Sequence, residues 1–334
     1  MSENVRDRIP ILNFLFMIEV MLYHCESPSD ELAVNAADLW ANRFITNGVV
    51  YFGSVCMAFF FAVTGMLLFY RLSFRNMGEK LRKRVLTILV PYLLWQGIYL
   101  IKSVLQGTSW TLKKMLAQVF LLRIWPPLGA FWYLYAVFLL ALLSPLLLPL
   151  LRNRKLGAFT VPALIIGLEC LQKYAYPRFG YLGNIMMYFP SYLIGSYFGC
   201  CYDEMTDQDR LMVLIRVVIL GALFSGSFPT MPQRMVQQAL PIALLFLFPV
   251  RPWMRDRPVY HLSFLLLATH QSSISVSVDR IRALSFRLVP SAAVANVAGR
   301  VFGILFCIAV AAVIRAVMKK FCPGVLRVLT GGRA

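Results

Sequence analysis

The chain has 334 residues, of which 59% are hydrophobic and 14% are charged. Soluble domains average about 45–50% apolar and about 25% charged residues, so this composition excludes an ordinary soluble domain. The net charge of +18 would suit nucleic acid, but the basic residues stand in short clusters between apolar stretches, where they act as topology signals. We therefore expect a protein surrounded by membrane lipids, with no nucleic-acid partner.

Apolar stretches long enough to cross a bilayer recur along the chain. The hydrocarbon core is about 30 Å thick and needs about 20 residues of helix. No small-residue cleavage site follows the first stretch, so we interpret it as a retained helix. The stretch 110–125, with Lys113, Lys114 and Arg123, is shorter and amphipathic; it lies on the membrane surface or re-enters, with a full span as the alternative. The predicted spans are 9–25, 45–70, 85–105, 130–151, 156–172, 184–201, 210–226, 235–250, 259–278 and 295–316.

The orientation follows from the lysines and arginines between the spans. Most of them fall on one side of the membrane if the N-terminus is cytoplasmic, and the densest cluster is 71–84. This bias predicts that both termini are cytoplasmic. No long linker divides the chain, so we predict one domain over 1–334, an all-α, polytopic bundle of about ten transmembrane helices in the cell membrane. Gly195 and Gly199, four residues apart in the sixth span, favour close helix packing.

Polar side chains in the first span are the first candidates for chemistry. Asn13 and His24 are 11 residues apart, about three helical turns plus 20°, so they share one helix face and stand about 16 Å apart along the axis. Glu19 points about 140° away from His24. Intramembrane polar groups are costly unless paired and are functional candidates by default. An imidazole titrates near neutral pH, so His24 is a candidate general base. The alternative is a histidine that simply lies at the membrane interface.

Three further segments leave two interpretations each. The basic run Lys80–Arg84 is either a topology signal or a site for the phosphates of a nucleotide cofactor. The aromatic segment Phe131–Tyr135 is either an interfacial belt or part of a site. His270 lies far inside an apolar run, where it is either a satisfied packing residue or a functional one.

Taken together and in order, these pieces resemble the acyltransferase-3 family of membrane acyltransferases, from about residue 8 to residue 316. Each match alone is weak, but six in order are specific. The matching segments are Tyr23-His24 at the end of the first span, Phe59–Gly65, Arg84 with Pro91-Tyr92, Phe131–Tyr135 with Pro145, Tyr188–Gly195, and Ser263–His270.

The resemblance implies transfer of an acyl group, commonly acetyl, from cytoplasmic acyl-CoA to a hydroxyl group. The acceptor would be an extracytoplasmic cell-surface glycan or a lipid-linked saccharide, and no metal is expected. His24 would be the catalytic base or proton shuttle, with His270 as the second catalytic residue. The remaining assignments are donor binding by Asn13, Arg82, Lys83 and Arg84, and acceptor binding by Trp132, Tyr133 and Glu26.

The chain departs from the family pattern at Asn13, which stands where the family carries a basic residue. That cation would anchor the donor or stabilise developing negative charge. Arg216 and Arg300, both inside predicted spans, are candidate substitutes. The alternative reading is a non-catalytic membrane protein of the same fold, either a saccharide exporter or a degenerate partner subunit. His24 favours the enzyme, and Asn13 favours the alternative.

Overall fold

The computed structural model describes residues 1–120, 126–179 and 182–333. Within these ranges the chain is helical and contains no strand, which confirms the all-α class. A π-helical turn, Val85–Leu89, joins the helices Phe74–Arg84 and Val90–Leu105 without a break. The α-helices are α1 (Glu3–His24), α2 (Ala36–Phe69), α3 (Phe74–Arg84), α4 (Val90–Leu105), α5 (Leu112–Phe120), α6 (Trp132–Leu142), α7 (Ser144–Leu151), α8 (Arg154–Phe179), α9 (Leu182–Cys200), α10 (Asp207–Leu223), α11 (Met231–Leu247), α12 (Ser263–Leu288), α13 (Ala292–Phe321) and α14 (Pro323–Leu329).

Several of these helices are long and apolar enough to cross a membrane. By length and composition, four qualify among the described residues, and two bent helix pairs raise the number to six if each pair is one span. The chain is therefore a membrane protein. The four helices are Ala36–Phe69, Phe74–Leu105, Arg154–Lys173 and Ala292–Phe321; the bent pairs are Gly129–Leu142 with Ser144–Leu151 and Met231–Leu247 with Pro252–Leu288.

The predicted first span shows why fewer helices qualify than the ten predicted stretches. It is helical as expected, within α1. However, every stretch of 18 residues within α1 contains Asp7, Arg8 and Glu19, so α1 has no uninterrupted apolar stretch of that length. Charged side chains inside a bilayer are tolerated where they face protein or water, so a helix of this composition can still belong to a membrane bundle.

The predicted fourth span is bent. α6 and α7 meet at an angle of 63°, and Pro145 stands at the second residue of α7. Proline has no N–H group to donate, and its ring clashes with the carbonyl four residues earlier, which interrupts the helix.

Within the stretch 110–125, α5 has nine residues, about 14 Å of helix. Positions 121–125, including Arg123, lie outside the described residues.

The chain divides into two compact units, with the divisions inside α1, inside α2 and after Val250. The first unit comprises Met1–Ile9 and Met57–Val250. In it, glycines allow α2 and α9 to touch along their backbones. A Cβ atom on Gly195 would lie 1.9 Å from the carbonyl oxygen of Ala62, and one on Gly199 would lie 2.4 Å from that of Met66. The close packing predicted for this glycine pair is confirmed.

The second unit comprises Pro10–Cys56 and Arg251–Ala334. Its centre is the hairpin of α12 and α13, whose buried faces pack on one another. Asp38 of α2 caps α13: its carboxylate accepts hydrogen bonds from the N–H groups of Ala292 (2.9 Å) and Ala293 (3.0 Å) and from the Ser291 hydroxyl (2.6 Å). These are donors without a partner inside α13, and a negative charge is favourable at a helix N-terminus. The cap fixes α13 against α2 within this unit.

Candidate active site

His24 is the last residue of α1, and a buried arginine holds the end of that helix. Arg300 of α13 is 4% exposed. Its Nη1 donates to the carbonyl oxygen of Leu22, and its Nη2 donates to the Ser27 hydroxyl at 2.8 Å. The last carbonyl oxygens of a helix receive no hydrogen bond from the helix itself, so an outside donor can bind them. A cation at this end also interacts favourably with the helix dipole. Arg300 therefore holds the Leu22 backbone before His24 and the Ser27 side chain after it.

A polar chain supports Arg300 from α2. The Nε atom of Arg300 donates to Asn296 Oδ1 at 2.7 Å. The amide nitrogen of Asn296 donates in turn to Asn42 Oδ1 at 2.8 Å and to the Thr46 hydroxyl at 3.2 Å. Asn296 is fully buried and Asn42 nearly so, and buried polar groups are stable when they are hydrogen-bonded in this way. Arg300, a candidate substitute for the missing first-helix cation, thus has three acceptors of its own.

His270 of α12 is fully buried and lies against His24. Its Nδ1 atom is 2.9 Å from the carbonyl oxygen of Leu266 and 3.1 Å from that of Leu267. A carbonyl only accepts, so Nδ1 carries the proton and Nε2 presents a lone pair. That Nε2 atom is buried and has no hydrogen-bond partner among the described residues. The rings of His24 and His270 lie 5.1 Å apart between centroids, at 47°.

A cavity of about 300 Å³ opens beside His24. Its lining mixes acidic, amide, hydroxyl, guanidinium and aliphatic side chains, which is the chemistry expected of a site for a polar organic ligand. His24 and Glu26, assigned to catalysis and to the acceptor, are together in this lining. Asn13 is half-buried on α1 and is not part of the lining. The lining residues are His24, Glu26, Gln271, Ile274, Ser275, Val278, Asp279 and Arg282.

Arg282 is one of six lining residues that the sequence analysis did not single out. The predicted ninth span ends at 278, four residues before Arg282, whereas α12 continues to Leu288. A signal was present in the sequence: Gln271, Ser275, Val278 and Arg282 follow one another at intervals of four, three and four residues. This spacing places them on one face of a helix.

The residues assigned to the donor lie in the first unit, apart from Asn13. Arg82 and Lys83 are exposed and Arg84 is half-buried. Lys83 forms an exposed ion pair with Glu79 (2.7 Å), the kind of pair that contributes little stability. The Nη2 atom of Arg84 lies 3.5 Å from the carbonyl oxygen of Thr64. Three cations at the end of α3 suit a phosphorylated ligand by their chemistry, and their role stays a prediction.

Trp132 and Tyr133, also in the first unit, lie within an aromatic cluster. The Tyr133 hydroxyl is 2.8 Å from the Thr64 hydroxyl and donates to the carbonyl oxygen of Phe60 at 3.1 Å. Trp132 contacts Phe61, with 5.8 Å between ring centroids. Both residues are half-buried, so they pack α6 on α2 and keep part of their surface accessible. Their assignment to the acceptor stays a prediction.

Two other charged residues singled out from the sequence, Arg216 and Glu169, do not line the cavity. Arg216 is exposed on α10. Glu169 of α8 is buried and pairs with Arg234 of α11, which also bonds Gln172. This ion pair links α8 to α11 within the first unit. Among the described residues, no group of three or more histidine, cysteine, aspartate or glutamate side chains is arranged to hold a metal ion.

Comparison with known proteins bears on the chemistry of this site. A family model described as an acyltransferase domain, that of the acyltransferase-3 family, matches residues 8–316. No curated protein and no solved structure matches the chain. The match begins before His24 and ends after the whole of α12, so it includes both histidines and the cavity lining. The chain belongs to the acyltransferase-3 family.

Proposed function

We propose that this membrane acyltransferase transfers an acyl group, most simply acetyl, from cytoplasmic acyl-CoA to a hydroxyl group of a cell-surface glycan or lipid-linked saccharide outside the cytoplasm. The observation that carries the proposal is the contact of His24 with the buried His270 beside a polar cavity. The protein would be multi-pass in the cell membrane, with about ten spans and both termini in the cytoplasm. The distribution of lysines and arginines supports that topology.

The reaction would be a direct transfer. The acceptor hydroxyl oxygen attacks the thioester carbonyl carbon while His24 takes the hydroxyl proton. The tetrahedral intermediate then expels the CoA sulfur, which receives the proton from the His24 imidazolium. The products are an acyl ester and free CoA. A covalent enzyme intermediate is less favoured, because the Thr64 hydroxyl is engaged with Tyr133 and not with a base.

His270 would act through His24 as a positioning residue. Since Nδ1 of His270 is committed to the backbone of its own helix, its Nε2 is left to accept an N–H from the His24 ring. Such a bond would fix the tautomer and the orientation of His24 and leave the second His24 nitrogen free to take a proton. Arg300 would hold the same helix end through its backbone.

Donor and acceptor would approach from opposite sides. In the proposed topology, Arg82, Lys83 and Arg84 stand at the cytoplasmic end of their span, where clustered cations suit the phosphates of CoA. His24 and Glu26 stand at the extracytoplasmic end, where the acceptor is. Asn13 would face the donor on the cytoplasmic half of α1 without contributing a charge.

The test uses inverted membrane vesicles, in which the cytoplasmic face is accessible to added radiolabelled acetyl-CoA. We expect alkali-labile label in the glycan or lipid-linked saccharide fraction with the wild type. His24→Ala should reduce it about 10²–10⁴-fold, the usual contribution of a positioned general base. His261→Ala is the matched control, because His261 is exposed and outside the cavity lining. Wild-type activity in the His24→Ala vesicles would remove that residue from the mechanism.

The same assay separates the enzyme from its alternative. Asn13, in place of a basic residue, favours a non-catalytic protein of this fold. If wild-type vesicles incorporate no label above vesicles lacking the protein, while still carrying it in the membrane, the chain is an exporter or a partner subunit and not a transferase.

A further inference from the structure

Arg282 in the cavity beside His24 is a buried cation with free donors. The residue is 8% exposed. Its Nη1 reaches Asp279 at 3.4 Å, a long contact to a carboxylate whose side chain is 88% exposed. Its Nε and Nη2 atoms are buried and have no hydrogen-bond partner within the described part of the chain. Buried guanidinium donors are costly when unpaired, so native proteins usually give them an acceptor.

The Arg282 side chain fits between α12 and α13 because the facing residue of α13 is a glycine, which has no Cβ atom. A Cβ atom on Gly299 would lie 2.7 Å from Cγ and 2.8 Å from Nε of Arg282. Glycine at this position therefore makes room for the extended arginine. Arg300, one residue further along α13, bonds three acceptors and is not available to a ligand. Of these two cations, Arg282 is the one with donors left for a bound molecule.

The two free donors have a defined geometry. The Nε–H and Nη2–H groups lie on one edge of the planar guanidinium and point in parallel. This is the edge that binds a carboxylate or a phosphate through two parallel hydrogen bonds. A single hydroxyl oxygen cannot meet both parallel donors in good geometry, whereas an anion with two oxygens can.

We propose that Arg282 binds an anionic group of the acceptor, a carboxylate or phosphate carried by the saccharide. This inference rests on the proposed function, which puts the acceptor at the end of α1 that holds His24. The cavity, at about 300 Å³, lies at the low end of small-molecule sites, which suits one sugar unit better than a whole CoA. Glu26, Gln271, Ser275 and Asp279 in the same lining supply partners for sugar hydroxyls.

The test measures sugar binding by the full-length protein in detergent, by calorimetry, with glucuronate, glucose 6-phosphate and glucose as probes. The wild type should bind at least one charged sugar about tenfold or more tightly than glucose, as expected for charge-assisted hydrogen bonds. A preference for glucuronate indicates a carboxylate acceptor, and one for glucose 6-phosphate indicates a phosphate. Equal affinity for all three sugars would overturn the proposal.

Variants locate the effect. Arg282→Gln should abolish the preference for the charged sugar, and Arg280→Gln, which removes an exposed arginine from the same helix, should leave it intact. Arg282→Lys keeps the charge without the parallel donors, so it should lose most of the preference. This variant still tests the proposal if Arg282→Gln folds poorly. A preference retained in both Arg282 variants, or lost equally in Arg280→Gln, contradicts the assignment.

The binding assay is independent of acyl transfer. His24→Ala should keep the preference for the charged sugar over glucose, because that preference depends on Arg282, while losing transfer. If Arg282-dependent binding is found in a protein that transfers nothing, the anion site stands and the proposed reaction fails. If transfer is found without any preference for a charged sugar, the reaction stands and the anion site fails.

Discussion

Replacing His270 by leucine tests the contact between the two histidines. His270 is fully buried, and the change removes the hydrogen bond proposed between its Nε2 and His24, about 0.5–1.5 kcal/mol. It also removes the Nδ1 hydrogen bond to Leu266, about 0.5–1.5 kcal/mol, and introduces a shape mismatch below about 1.5 kcal/mol. These terms add, so the free energy of unfolding should fall by about 1–4.5 kcal/mol.

The transfer activity of the folded variant should also fall. Without its neighbour, the His24 ring loses the group that orients it, and misplacement by about 1 Å can cost about 100-fold. We expect kcat for transfer from acetyl-CoA to fall about 10- to 100-fold, with little change in the KM for the donor. The assays are thermal unfolding in detergent and vesicle transfer kinetics, with His261→Leu as the exposed control. Transfer by the folded variant within twofold of the wild type would refute the positioning role.

Two further substitutions test the packing that surrounds the site. Gly195→Ala puts a Cβ atom 1.9 Å from the Ala62 carbonyl oxygen, where ordinary contact begins at 3.4 Å; α2 and α9 must separate by about 1.5 Å, and the unfolding free energy should fall by about 3 kcal/mol or more. Gly167→Ala, with nothing within 4 Å, should be neutral or slightly stabilising in the same denaturation assay, and equal behaviour of the two variants would contradict the close packing. Arg300→Lys cannot replace all three donated hydrogen bonds, so it should destabilise by about 1.5–3 kcal/mol and lower kcat; unfolding and activity like the wild type would show that Arg300 does not hold the end of α1.

The helical class and the individual site candidates were accessible from the sequence because their signals are local. Apolar stretches predict helices, and a glycine pair four residues apart predicts close packing, which the structure confirms at Gly195 and Gly199. His24 and His270 were each singled out as costly groups in an apolar stretch. Local patterns carry this information because they depend on neighbours within a turn or two of helix.

The missing parts depend on contacts between distant segments. No pattern indicates that Asp38 caps α13 or that Arg300 bonds the end of α1, because each pair is brought together only by packing of the second unit. Arg282 lies beyond the predicted span 259–278, because charged residues interrupt the apolar stretch there, whereas α12 continues to Leu288. The predicted span 130–151 contains Pro145, and its apolar pattern alone does not give the 63° bend found there.

The most direct measurement of the central claim is the ester content of the surface glycans of the cells that make this protein. Glycans would be isolated from cells that lack the chain and from the same cells complemented with the wild type, His24→Ala or His261→Ala, and alkali-released acyl groups would be quantified by mass spectrometry. The account predicts that the wild type and His261→Ala restore the ester and that His24→Ala does not, at equal protein levels in the membrane. Ester restored to the wild-type level by His24→Ala would contradict it.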